Sequence, residues 1–514
     1  MRTRTLRLFG SLILLITCFT MARNLSAQSD WTTWGYDQER SGWNKAETTL
    51  TKDTVSRLEL KWTAQLSTPP DHVVLSTLTA PIVATAVTPQ GPKPFVIIVG
   101  SDDTVTAIAA DTGRIAWTRK FPNTLKPVKP ATWLCSNTQN ATPVVDKALG
   151  IVYLNTTDGK LRGLNLLDGE DRIPATAFMP EFARNWSFNL IDNVIYTSMG
   201  RGCNDIIAQV DAMDMSDPNH HVSTFFTGVA RIGGIWGRGG LVRGPKGLYG
   251  QTADGAYDPA SGKFGNTVML FNPKDLRLLD SFTPSTWEDL NKKDLDLGSA
   301  NPVVFTYKNK TLVASTAKET VMYLLDANNL GGADHHTPLY QSPRWGNDEL
   351  MSYGRGTWGA ISTWEDSTGN RWILMPIWGP PAKDAPAFKM TYGDADNGSV
   401  LAFQVGIEND KPTLIPMWRS RDMHVPDPPV IANGVVYALQ SGENTTQHGA
   451  TAVQRSTPVT NAILYAYDAQ TGKELYSSKD AINSWTHFSE PVVANGMVYV
   501  STWDARVYAF GLKK

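Results

Sequence analysis

Between Thr79 and Gly511 apolar and polar residues alternate with a period of two, in short runs bounded by Gly, Asp or Pro. That alternation marks strands with one buried face. The opening strands share one phrase: PIVATA from Pro81, ATPVVD from Ala141, NPVVFT from Asn301, PPVIAN from Pro428 and PVVANG from Pro491. Each leads to a strand ending in Tyr or Val, a Gly or Asp turn, and a strand running into Asp-x-x-Thr-Gly. The phrase reads AIAADTGRIAW around Asp111 and AYDAQTGKELY around Asp468, with weaker forms at Asp168, Asp275 and Asp326. Recurrence in fixed order is the signature of a repeat architecture.

The pattern predicts an all-β chain of four-stranded antiparallel blades at about 79–121, 138–179, 185–228, 234–284, 294–342, 355–420, 427–479 and 487–511, the third and sixth being irregular. The last has chain for three strands only. An orphan strand, LELKWTAQL at Leu58–Leu66, supplies the missing one, so the reading is an eight-bladed β-propeller whose last blade is closed by an N-terminal strand. Radial closure leaves only short, protected edges. Trp62 and Trp117, with Tyr476 in place of Trp, are expected between neighbouring blades beside the Asp-Thr-Gly turns. Residues 28–57 carry few strand signals and are expected to cross one face of the disc.

The 41 % of hydrophobic residues, 42 Gly and 31 Pro suit a turn-rich globular fold, and 17 Trp suggest a repeated structural role or an aromatic cavity. With 47 basic and 49 acidic residues and no basic run after residue 28, neither nucleic acid nor an anionic membrane surface is indicated as a partner. Arg2, Arg4 and Arg7 precede an apolar stretch from Leu8 to about Ala22, followed by small residues near Ser26 and Ala27. Residues 1–27 therefore read as an export signal cleaved near Ala27, with residues 28–514 as one propeller domain in the periplasm or outside the cell. Cys18 lies in the apolar stretch, but Thr17 and Phe19 are poor neighbours for a lipidated Cys. After cleavage Cys135 and Cys203 remain, and one disulfide between them is an option. No Cys-x-x-Cys-His occurs, so no haem c is attached covalently. No other segment is long and apolar enough to span a membrane, and a closed ring makes a monomer the default.

The spaced Asp-x-x-Thr-Gly turns and Trp residues resemble the pyrroloquinoline-quinone (PQQ) repeat of the quinoprotein dehydrogenases, over roughly 31–511. Assembly proteins of the bacterial outer membrane share that repeat, so it speaks for fold before activity. The segment Gly233–Pro273 resembles the one that supplies a calcium-ligating Asn, and Asp254 stands there. The acidic stretch Asp289–Phe305 resembles the one carrying the family's base and a metal contact, implicating Asp294 and Asp296, placed by their spacing on one face of a strand with Asp289 in the preceding loop. Lys318 falls where a cation contacts the quinone oxygens. Trp236, Trp358 and Trp485 start or precede inner strands and are candidate stacking platforms.

Two departures stand out. Where the family has adjacent Cys, this chain has Cys135 and Ser136, and where it has a metal-binding Glu in blade three, this chain has Cys203, Asn204 and Asp205. Asn204 becomes the candidate metal ligand there. Beside these, His424, His448, His487, the pair His335 and His336, Arg238, Arg355 and Glu490 are candidates for a polar pocket at the axis. The resemblance implies oxidation of an alcohol, polyol or aldehyde, from a small or polymeric alcohol or sugar, with bound PQQ and calcium or a lanthanide and a separate electron acceptor. Two other readings remain open: a propeller that binds or scaffolds without chemistry, and a polysaccharide-active hydrolase or lyase built around His487.

Overall fold

The computed structural model describes residues 29–139, 141–229, 232–444, 451–457 and 460–513. The expected export signal and His448 lie outside the described residues. The fold is an eight-bladed β-propeller, with blade one formed by strands 82–88, 91–99, 104–109 and 115–120. The inner strands of blades two to seven begin at Val144, Asn189, Val242, Val303, Ser362 and Val430. In blade eight the strands Val492–Ala494, Met497–Ser501 and Arg506–Leu512 are completed by Leu58–Gln65, antiparallel to Arg506–Leu512. The closure expected from the orphan strand is thus observed.

Neighbouring blades are fastened by one device used three times. The indole Nε1 of Trp62, Trp117 and Trp418 donates at 3.0 Å to the carbonyl of Ala110, Leu166 and Ala469 in the next blade. Each ring lies flat against the glycine of that blade's turn. A Cβ on Gly113, Gly169 or Gly472 would sit 2.6–2.7 Å from ring atoms of Trp62, Trp117 or Trp418, and all three glycines have φ of 72–75°. Only glycine tolerates that conformation and that closeness together. Between blades three and four, and four and five, Tyr196 and Tyr249 donate instead to the carbonyls of Pro273 and Ala327. Tyr476 packs half-buried against the core shared by blades seven, eight and one.

The segment after Ser29 does more than cross a face: it runs in the axis itself. Trp31 exchanges backbone hydrogen bonds with Val83 of blade one, and the carbonyls of Thr32, Gln38, Ser41 and Gly42 accept from Val145, Arg243, Thr363 and Ile431. Asn189 of blade three donates to the Gln38 carbonyl, and Asn44 donates to that of Val493 in blade eight. Arg40, 1 % exposed, donates to Thr33 Oγ1 and to the carbonyls of Trp34, Phe188 and Gly239. Four acceptors around one guanidinium satisfy a charge that burial would otherwise expel. Glu490 belongs to this plug: its Oε1 accepts from Gly35 N at 2.7 Å and from Trp31 Nε1. No helix among the described residues is long and apolar enough to cross a membrane.

Candidate functional site

Where the chain enters the inner strands, the loops of several blades surround an axial cavity of about 680 Å³. Its floor is aromatic. Trp236 and Trp358 meet edge to face at 5.1 Å, Trp358 stacks on the buried Trp378 at 4.6 Å, and Phe488 leans on all three. Trp358 Nε1 donates to the Arg355 carbonyl at 2.6 Å, which fixes its ring.

One wall is acidic. Asp254, Asp294 and Asp296 offer carboxylate oxygens within 4.8 Å of one another. Asp254 follows the second strand of blade four. Asp294 and Asp296 are not on a strand, as their spacing suggested. Thr286 opens a short helix, Trp287–Lys293, with Glu288 and Asp289 in its first turn, Lys292 and Lys293 in its last, and Asp294 as its left-handed cap at φ 56°. These are charges that suit the helix dipole. Asp289 is on that helix, paired with Lys293, and takes no part in the cluster. Gln251 holds the turn after it, donating to the carbonyls of Leu297, Ala300 and Thr316.

Lys318 closes the cluster. Its Nζ lies 2.7 Å from Asp296 Oδ2 and 3.6 Å from Asp294 Oδ2, and donates to the Asp294 carbonyl and to Ser352 Oγ. It also sits 4.9 Å above the Trp358 ring and 5.3 Å from that of Trp236, close enough for cation–π attraction. Asp296 Oδ1 accepts from Asp254 N at 3.0 Å, and Asp294 Oδ2 accepts from Ser352. Burial drives the Asp296 carboxyl well above the usual carboxylate range, Lys318 opposing and Asp294 and Asp254 adding to the rise. Burial would lower the Lys318 ammonium, but Asp296 and Asp294 outweigh it and the net shift is upward. One ammonium thus faces three carboxyl groups. Hard oxygen donors in excess of positive charge fit a calcium or lanthanide ion, and the flat aromatic floor beside them fits a planar quinone.

The roof comes from the long loop between blades one and two, which sequence reading left unassigned. Trp133 and Leu134 line the cavity, and Cys135 beside them forms a disulfide with Cys203 of blade three, 68 residues away. Arg184 donates to the Leu134 carbonyl, and Lys129 pairs with Asp205. Asn204 belongs to this fastening: its Oδ1 accepts from Lys129 N and its Nδ2 donates to Asn137. It lines a neighbouring cavity with Cys203, not the axial one, because left-handed Asn204 and Asp205 turn their loop toward the roof loop. Its candidacy as a metal ligand is therefore not supported by position.

The remaining candidates divide. Trp236, Trp358, Lys318 and His487 line the cavity. Arg238 is buried beneath it, stacked on Trp186 and Phe488 and donating to Ser76 Oγ and the His487 carbonyl. Trp485 stacks on Trp503, and Arg355 lies against Gly379 between two positive-φ glycines; neither faces the cavity. His335 and His336 pack on the Ser281 and Thr283 carbonyls of blade four and are not among the residues that line the cavity. Trp186, Tyr353 and Ser352 were not anticipated; Tyr353 and Ser352 sit in a loop without strand periodicity.

Residues 50–219, about a third of the chain, match the family model described as outer membrane protein assembly factor BamB. Over nearly the whole chain the fold superposes on solved propellers. The quinohemoprotein alcohol dehydrogenase of Comamonas testosteroni aligns at TM-score 0.59 and 12 % identity, covering 95 % of this chain and 81 % of that one. A europium-containing methanol dehydrogenase aligns at TM-score 0.61 and 12 % identity, covering 94 % and 98 %. What the chain shares with them over its length is the propeller fold. No curated protein matches it in sequence. At these identities the likeness establishes the propeller fold and leaves its chemistry to the cavity.

Proposed function

We propose that this PQQ-type propeller is an exported oxidoreductase that oxidises an alcohol, polyol or aldehyde with a bound quinone and a hard cation. The observation that supports the reading is convergence: Asp254, Asp294, Asp296 and Lys318 meet in one cavity beside the Trp236 and Trp358 faces. When bound, the quinone supplies a two-electron sink and the cation Lewis acidity. Asp254, Asp294 and Asp296 would hold the cation, and Lys318, its ammonium over the Trp358 ring, would supply positive charge beside a quinone stacked there. Trp236 and Trp358 form the stacking floor. Trp133 and Leu134 shield the pocket from water, which strengthens every charge contact within it. Electrons pass on to a separate acceptor.

The test is binding before turnover. Terbium titrated into purified protein is expected to give tryptophan-sensitised emission, lost in Asp294→Ala, and PQQ added with calcium is expected to bind saturably with Lys318→Ala weakened. Absence of both signals up to high micromolar ligand refutes the reading. A second reading, a binding propeller without chemistry, is favoured by Lys318 lying between the carboxylates in the place of a cation. Its mark is a protein indifferent to both ligands.

A further inference from the structure

The axial cavity carries a charge that the chain as a whole does not. The protein has 49 acidic and 47 basic side chains. The cavity lining inverts that balance: Arg184, Arg201, Lys292, Lys293 and Lys318 outnumber Asp254, Asp294 and Asp296. A divalent ion on the three carboxylates would widen the excess. Lys318 is engaged by Asp296, Lys293 by Asp289, and Arg184 by the Leu134 carbonyl; the histidine of the lining, His487, is paired with Glu443 at 2.7 Å. Arg201 and Lys292 differ. Among the described residues no carboxylate lies within ion-pair distance of either, and the residues outside that set include no Asp or Glu.

Arg201 ends the second strand of blade three, Val194–Arg201, where it stands directly across an antiparallel pair from Arg184. Like charges so placed repel, and an anion shared between them relieves the repulsion. Both arginines are half-buried at the cavity. Arg184 is tied to the roof loop, and Arg201 also lines the neighbouring cavity with Leu134 and Cys135, so the pair sits at the level of the roof and not of the aromatic floor. Tyr353 connects this place with the acid wall. Its ring is 5.9 Å from Lys318 Nζ. Burial, then Asp294, raise its hydroxyl above the ordinary value, and Lys318 and Arg201 are near enough to oppose them.

We propose that Arg201 receives a carboxylate of the substrate, so that the alcohol oxidised in this cavity is a hydroxy acid or an acidic sugar; this rests on the oxidoreductase reading above. A planar guanidinium offers two parallel N–H donors to a carboxylate, which a neutral alcohol cannot use. The substrate's hydroxyl lies toward the acid wall and its carboxylate toward the roof. Lys292, exposed in the last turn of the helix before Asp294, draws anions to the mouth. The quinone's own carboxylates are the rival occupants of Arg201, and they would leave the substrate's charge without effect.

The test pairs each acid with its neutral counterpart, glucuronate with glucose and glycerate with glycerol, on the full chain. In the protein without cofactor, tryptophan emission is expected to be quenched saturably by glucuronate and not by glucose. Arg201→Gln is expected to weaken that binding about 10–100-fold. With PQQ and calcium bound, wild type is expected to favour each acid in kcat/KM by at least about tenfold, chiefly through KM, with the preference falling as salt rises. Arg201→Gln is expected to lower that ratio about 10–100-fold and Arg201→Lys to restore part of it. Quinone affinity is expected to hold in both variants, which also shows them folded. Glucuronate bound no better than glucose, or a ratio untouched by Arg201→Gln, overturns the assignment alone. So does an Arg201→Gln protein that loses quinone affinity and keeps the ratio, since Arg201 then serves the quinone. A wild type that binds no quinone, or reduces it with none of the probes, overturns the oxidoreductase reading; glucuronate binding lost in Arg201→Gln then still upholds the acid subsite.

Discussion

Substituting Gly169 by Ala isolates the contact that locks blade one to blade two. The new Cβ would stand 2.6 Å from a carbon of the Trp117 ring, well inside van der Waals contact, at a residue with φ 75°. Left-handed alanine costs about 1–2 kcal/mol. Displacing a packed ring adds about 1–3 kcal/mol. A ring that shifts by an ångström also loses its 3.0 Å bond to the Leu166 carbonyl, worth about 0.5–1.5 kcal/mol. Gly150, in the same blade, is the control, because its φ is 64° and nothing lies within 4 Å of its Cβ position. Urea unfolding followed by circular dichroism is expected to show about 2.5–6.5 kcal/mol lost in Gly169→Ala and about 1–2 kcal/mol in Gly150→Ala. In a Trp117→Leu background the two glycines are expected to behave alike, since the ring that distinguishes them is gone. Equal losses at both sites in the parent protein refute the docking argument.

Three further outcomes are expected. Asp103, buried and accepting from the backbone N–H and hydroxyl of Thr157, has its carboxyl pushed up to about 6, chiefly by burial. The folded state therefore keeps a proton that the unfolded chain releases above 3.8, so stability falls as pH rises from about 4 to 6, by roughly 3 kcal/mol. Asp103→Asn keeps an acceptor for Thr157 and is expected to flatten that slope and exceed wild type at pH 7 in calorimetry. Cys135→Ser with Cys203→Ser opens a 68-residue loop, and is expected to cost up to about 4 kcal/mol and to weaken PQQ binding as the roof loosens, with reduction of wild type reproducing both. Lys318→Met leaves three carboxyl groups without their ammonium and is expected to cost about 3–5 kcal/mol, with calcium raising its melting temperature by more than that of wild type.

The blades were legible because strand period and turn chemistry repeat, and a missing fourth strand has one donor, Leu58–Gln65, to supply it. Asp254, Asp296 and Lys318 were legible through local resemblance, and the fold brings them together. What failed did so where alternation breaks. Arg355, between positive-φ glycines at 354 and 356, lies against Gly379 and outside the cavity lining, and left-handed Asn204 and Asp205 turn their loop to the roof loop. The helix before Asp294 was written in plain signals, Thr286 and then two acids, but the strand periodicity around it hid them. Glu443 could not be paired with His487 from sequence, since 44 residues and most of a blade separate them.

The plug sets an order of events for the growing chain. Trp31 bonds to Glu490, 459 residues ahead, and Asn44 to Val493, 449 residues ahead. Closing loops of that length carries a large entropic cost until blade eight exists and the ring has drawn its ends together. Residues 29–44 are thus synthesised before any blade, yet they are the last to be seated. Until then the inner strands of blades one, two, four, six and seven lack the backbone partners that this segment gives them.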